Sequence, residues 1–190
     1  MQRLSIVLGL VLVGCGHSSS GDDRPAPQPF ADAGPCGATS AQQPIEGETH
    51  VPDCSMVSYV SNPPSSGNHY PDLAAYHPYS TPVPRGFWVH DLEHGGIVVT
   101  YQCGDGCDAL AARIAAWVDT LPPDPSCGDA RRVTVTPDPL LDVPVAASAW
   151  GWTLRATCFD EAEFTRFYSE HVGMAPEDVC GGGVEPPACP

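Results

Sequence analysis

Trp88-Val89-His90-Asp91-Leu92-Glu93-His94-Gly95-Gly96-Ile97-Val98-Val99-Thr100-Tyr101 places two histidines and two carboxylates within five residues and then runs into a β-branched segment. The segment after Gly95-Gly96 is short, apolar and closed by Cys103-Gly104-Asp105-Gly106-Cys107, so it reads as a buried strand. Potential ligands at the entrance of a buried strand mark a site held by a scaffold. Trp88-Val89 reads as extended and Gly95-Gly96 breaks any helix beyond it, so no stable helix is expected across the histidines. For that reason His90-x-x-Glu93-His94 is not taken as the inverted zinc-protease pattern it matches letter by letter.

After that strand, Asp108 is expected to cap a helix reaching 121. Leu110, Ile114, Trp117, Val118 and Leu121 recur at three- and four-residue steps, and Pro122-Pro123 stops it. Residues 131–136 alternate as a strand, and 146–157 read as one or two more. A last helix over 160–171 places Phe164, Phe167 and Tyr168 on one face. Upstream, 56–60 alternates well enough for a short strand before the turn residues 62–67. Residues 69–86 carry Pro71, Pro78, Pro82 and Pro84 among Tyr70, Tyr76 and Tyr79, and read as a long ordered loop. The expected fold is therefore α+β: a small mixed sheet with two helices on one face, stapled by disulfides and preceded by a long ordered loop.

The N-terminus carries a different message. Met1-Gln2-Arg3 is a short basic start, residues 4–13 are almost wholly apolar, and Leu12-Val13-Gly14-Cys15 closes the run. This is the layout of a secretory signal, too short to span a bilayer, and its ending resembles a bacterial lipobox. The resemblance implies a signal peptide over 1–14, cleavage before Cys15 and a lipid anchor on that cysteine. The expected location is the bacterial cell envelope, in the outer membrane, since Gly16 is not an acidic retention signal. Residues 15–45, rich in Ser, Gly and Pro, read as a flexible tether, 46–180 as a single domain and 181–190 as a tail. His17 lies in the tether and receives no role.

The chain carries a formal net charge of −15 and no lysine. Such a surface repels phosphate backbones, so nucleic-acid binding is rejected, and membrane contact is expected through the Cys15 anchor instead of a basic patch. A monomer is expected, with any protein partner unspecified. With Cys15 set aside, Cys36, Cys54, Cys103, Cys107, Cys127, Cys158, Cys180 and Cys189 form an even set. In an oxidising compartment they read as a disulfide framework whose pairing sequence does not choose.

Three blocks together resemble the bacterial domain-of-unknown-function family 3105. They are His50-Val51, then Tyr59 with Asn62-Pro63-Pro64-Ser65-Ser66-Gly67-Asn68-His69, then Val89-His90-Asp91-Leu92-Glu93-His94-Gly95 with Val98-Val99 and Tyr101. The last two are similar to the family's PPTSGPH-like and VHNLEHG-like motifs. Ala149-Trp150-Gly151 and Ala175-Pro176-Glu177 are similar to weaker later blocks. Ser65, Asn68 and Asp91 replace the commoner Thr, Pro and Asn. The resemblance implies a fold and an exported location and names no reaction.

The site expected from chemistry is a transition-metal or small-ligand centre at His69, His90 and His94, with His50 and Glu93 as further ligands or orienting partners. Zinc or copper is the expected ion, because imidazole suits both. The competing reading is a non-catalytic structural or interaction domain, in which the histidines donate to loop carbonyls and Glu93 takes the loop's free NH groups. Two further alternatives are a thioredoxin-like copper or thiol protein using Cys103-x-x-x-Cys107 with His171-x-x-Met174, and a zinc hydrolase. Ser65 and Ser66 lack a nucleophile elbow, no phosphate loop is present, and Trp150 and Trp152 read as a core and a surface position on one strand.

Overall fold

In the computed structural model, which describes residues 35–104, 107–128 and 130–189, the apolar run after Gly96 becomes an inner strand of a five-stranded sheet. The elements are β1 (Thr39–Gln42), α1 (Arg85–Glu93), β2 (Ile97–Tyr101), α2 (Asp108–Thr120), β3 (Val133–Pro137), β4 (Val145–Ala149), β5 (Trp152–Ala156) and α3 (Glu161–His171). Strands lie in the order β1-β5-β4-β2-β3. β2 and β3 are parallel, joined through α2, and the remaining pairs are antiparallel. The sheet is mixed, as expected. Every residue of β2 and β4 is buried, which is why β2 reads as a continuous apolar run instead of alternating.

Alternate residues nonetheless project to two different faces. Ile97, Val99, Tyr101, Val133, Val135, Val145, Ala147 and Leu154 enter one core with Ile114, Trp117 and Val118 of α2 and Phe164, Phe167 and Tyr168 of α3. These two amphipathic helices cover that face as expected. Trp117 Nε1 donates to Thr165 Oγ1 at 2.9 Å and ties them together. Asp160 caps α3 by accepting from the Glu163 NH at 3.1 Å. Asp108 does not cap α2. It is the first helical residue, and the capping position is Cys107, with no side-chain bond.

The opposite face carries what sequence periodicity did not show. Here α1 packs against the sheet with Tyr70, Val83, Phe87, Trp88, Val89, Leu92, Val98 and Trp150. Trp88-Val89, expected to be extended, is helical, so the described residues hold a third α-helix. The reason is burial on all sides. Residues 86–93 are all buried, and a helix surrounded by protein has no polar stripe to advertise its period.

Three further expectations are corrected. Residues 56–60 form no strand, and Met56 stands fully exposed, because alternation without a pairing partner does not make a sheet. Residues 39–42, read as tether, form β1 against β5, and Cys36 is already bonded to Cys158. Trp150 and Trp152 do not share a strand, since Trp150-Gly151 is the turn of the β4–β5 hairpin. The signal segment, Cys15 and His17 lie outside the described residues.

All eight remaining cysteines pair, as Cys36–Cys158, Cys54–Cys189, Cys103–Cys107 and Cys127–Cys180. The two C-terminal bridges fasten the tail over the α1 side, where Val184 also bridges Ala74. Cross-links closing long stretches constrain the unfolded chain most. The bridges spanning 122 and 135 residues therefore stabilise more than the one spanning four.

Candidate metal centre

α1 begins after Pro84, whose fixed φ suits a helix start, and stops at Gly95. There φ is +77°, a conformation that favours glycine. The NH groups of Gly95 and Gly96 close the helix end by donating to Leu92 and Asp91 carbonyls at 3.0 and 2.8 Å. A side chain at Gly96 would meet the Asp91 carbonyl and the Tyr76 ring at 2.8 Å, so the turn is as tight as backbone allows. Helical spacing then turns His90, Glu93 and His94 toward one side.

The loop before α1 brings the other histidines. The His69 carbonyl accepts from Val51 NH at 2.8 Å, and His69 NH donates to the Thr49 carbonyl at 3.2 Å, which sets His50 and His69 side by side. Glu46 orders the preceding turn by accepting from the NH groups of Val60 and Ser61 at 2.7 and 3.0 Å. This is the role the structural reading assigned to Glu93, and Glu46 performs it. Ser66 Oγ accepts from Glu46 NH at 2.9 Å, so the serines of the loop serve its architecture.

The rings of His50, His69 and His90 form a triangle with every centroid separation 4.8 Å, and His94 lies 4.8 Å beyond His90. His69 is fully buried, His90 and Glu93 are nearly so, and His50 lies on the exposed side. Glu93 Oε2 is 3.0 Å from His69 Nε2 and 3.9 Å from His50 Nε2. One possible ligand atom from each of His50, His69, His90 and Glu93 falls within 4.8 Å of all the others. Trp150 stands edge-on to His69, with centroids 6.4 Å apart, as an apolar wall.

Backbone carbonyls set the proton positions. His69 Nδ1 lies 2.8 Å from the Gly67 carbonyl and His94 Nδ1 lies 2.8 Å from that of Val179. A carbonyl only accepts, so each Nδ1 carries the proton, and in the neutral ring each Nε2 is a lone pair. His69 therefore aims a lone pair at a carboxylate 3.0 Å away. Two acceptors at that distance require a cation between them, either a proton or a metal ion. His94 Nε2 in turn accepts from His90 Nε2 at 3.0 Å. This leaves His90 Nδ1 buried without a hydrogen-bond partner. Burial, and then the neighbouring His69, His94 and His50, pull the His90 pKa down to about 4, with the Tyr70 carbonyl acting the other way as the smallest influence. The ring is thus neutral at physiological pH, the state in which imidazole binds metal.

The two carboxylates of the central stretch have separate fates. Asp91 is fully buried, accepts from Thr134 Oγ1 at 2.6 Å, and is pushed well above the usual carboxylate range by that burial. It anchors α1 to β3. Glu177, unassigned from sequence, approaches His94 Nε2 at 3.6 Å and forms a second close group with Glu93 and His94. Its signal was the motif-like Ala175-Pro176-Glu177, which carried no ligand pattern.

The copper-thiol alternative does not assemble. Cys103 and Cys107 are bonded to each other, His171 stacks on Trp152 at 4.7 Å, and Met174 is exposed. Among the described residues, the groups close enough to hold an ion are the two around Glu93.

Neither a curated protein nor a solved structure matches the chain. A family model described as protein of unknown function (DUF3105) matches residues 50–182, which include His50, His69, His90, His94, Glu93, Glu177 and α1, α2 and α3, and the chain therefore belongs to that family.

Proposed function

We propose that this is a transition-metal-binding domain, with zinc or copper(II) held by His50, His69, His90 and Glu93, displayed on a bacterial envelope by a lipid on Cys15. The observation that carries the metal reading is the buried His69 Nε2 lone pair facing the Glu93 carboxylate at 3.0 Å. A proton satisfies one such contact. Three imidazoles within 4.8 Å of one another cannot all be charged without strong repulsion, whereas one divalent ion satisfies them together. In a tetrahedral zinc site, neighbouring ligand atoms sit about 3.3 Å apart, close to the His69–Glu93 spacing. The remaining closure falls to His50, whose exposed ring is free to turn inward and whose side of the cluster faces solvent. A His/Glu donor set with no free thiolate suits zinc or copper(II) better than copper(I). The Gly67 carbonyl orients the His69 ring in the way metal sites use outer hydrogen bonds.

Elemental analysis of the untagged, exported protein tests this directly, beside His69→Ala and His90→Ala variants. Near-stoichiometric zinc or copper in the parent and its loss from folded variants is the expected result. A folded parent that stays metal-free after reconstitution with both ions would sink the reading and favour the histidines as loop structure. The anchor is tested separately: Cys15→Ser should move the protein from the membrane fraction to the soluble envelope fraction, and unchanged fractionation would remove the lipid.

A further inference from the structure

We propose that Glu93 bridges two cations. The first is the ion held with His50, His69 and His90, and the second is held by His94 and Glu177. This rests on the metal reading above and adds to it a ligand, Glu177, and a second position.

The second position is assembled by the chain after α3. Residues 173–180 run back across the end of α1. Gly173 NH donates to the Gly95 carbonyl at 2.8 Å and Glu177 NH to the Glu93 carbonyl at 3.1 Å, and Cys180 is bonded to Cys127. The strap therefore delivers Glu177 by its own backbone to the residue it would share a metal with. It also supplies the Val179 carbonyl that holds the His94 Nδ1 proton, so that His94 Nε2 presents its lone pair on the same side as the Glu177 carboxylate, 3.6 Å away. Ligand atoms of Glu93, His94 and Glu177 all lie within 4.8 Å of one another. Two carboxylates and an imidazole lone pair converge there.

The positive charge nearby is already engaged. The chain has no lysine, and Arg132, whose Nη1 reaches the His94 carbonyl at 2.9 Å, pairs with Asp124 and Asp178 instead. A carboxylate with two oxygens can serve one ion with each, the arrangement by which paired metal sites hold ions about 3.5–4 Å apart. The two positions are unequal. Among the described residues no NH group occupies His69 Nε2 or His90 Nδ1, whereas His94 Nε2 must release the hydrogen bond from His90, and Glu177 is more than half exposed. The second ion therefore binds more weakly than the first.

The test is a zinc titration of the metal-stripped, full mature chain against a chelating indicator, in parallel with copper(II) loading followed by electron paramagnetic resonance. Glu177→Gln keeps the size of an exposed side chain and leaves its backbone bond to Glu93 intact. The expected result is two equivalents of zinc in two unequal steps for the parent and one, the tighter, for Glu177→Gln. With copper(II), the signal should rise through the first equivalent and fall during the second as bridged ions couple, and this fall should be absent in Glu177→Gln. A parent that binds one equivalent, or a Glu177→Gln protein that still binds two, overturns the second position while the first stands. A parent that binds none overturns both.

Discussion

The two faces of the sheet are both buried and are built on opposite principles. One is lined by Ile97, Val99, Val133, Val135, Val145 and Leu154 and sealed by α2 and α3. On the other, register places Thr100 beside Thr136, Val98 between Thr134 and Ser148, and Ser148 beside Thr153. All of these hydroxyl residues are buried. The first face gains stability from apolar area, which is non-directional and tolerates small shifts. On the second, two hydroxyls make directional bonds, Thr134 Oγ1 to Asp91 and Val83 NH to Thr136 Oγ1, while those of Thr100 and Ser148 are buried with no partner among the described residues. These bonds fix where α1 and its loop sit. The metal-ligand candidates all lie on this second side, so the division separates a part that holds the domain together from a part that positions the site.

The sharpest way to break the comparison is to damage each face and ask what is lost. Phe164→Ala, on the apolar side, should cost about 3–5 kcal/mol in denaturant unfolding. The protein that remains folded should keep its metal stoichiometry. Loss of metal from folded Phe164→Ala would show that the two faces are not separable. Thr134→Val keeps the shape of a residue on the polar side and removes the donor to buried Asp91. The expected loss is smaller, about 1–3 kcal/mol, together with weaker metal binding as α1 loosens. A variant with undiminished affinity would mean that the polar face does not position the ligands.

The smallest effect concerns pH on the apolar side. His171, stacked on Trp152, has its pKa lowered by burial, with Glu170 opposing. Its folded value lies below the unfolded one, near 6.5. The folded state therefore takes up its proton later than the unfolded state does. Stability should fall as pH drops below about 6.5 toward the folded value. Thermal unfolding of metal-free His171→Asn between pH 7 and 5 should show a shallower pH slope than the parent, and an identical slope would remove His171 from the account.

The same division explains what was legible in the sequence. α2 and α3 have one wet face, so Ile114, Trp117 and Val118, or Phe164, Phe167 and Tyr168, recur with helical period and can be read. α1 is buried all round, its period is hidden, and its helicity follows from neighbours far along the chain. β1 is Thr-Ser-Ala-Gln, with nothing strand-like in it, and it becomes a strand because the edge of β5 offers unpaired backbone groups. Residues 56–60 show the converse, a strand pattern with no edge to join. At the site, four histidines and Glu93 stood out through density and chemistry. Glu177 did not, because a lone carboxylate in a polar strap resembles any other in so acidic a chain.

By itself, then, the sequence determined the α+β class, the two amphipathic helices, the buried β2 strand, the set of paired cysteines and the identity of every candidate ligand but Glu177, since each is written in local period, composition or residue type. Tertiary structure decided which cysteines pair, that α1 is a helix, which protons His69 and His94 carry, and that Glu177 reaches Glu93. These depend on groups up to more than a hundred residues apart meeting at hydrogen-bond distance, and local pattern carries no information about such meetings.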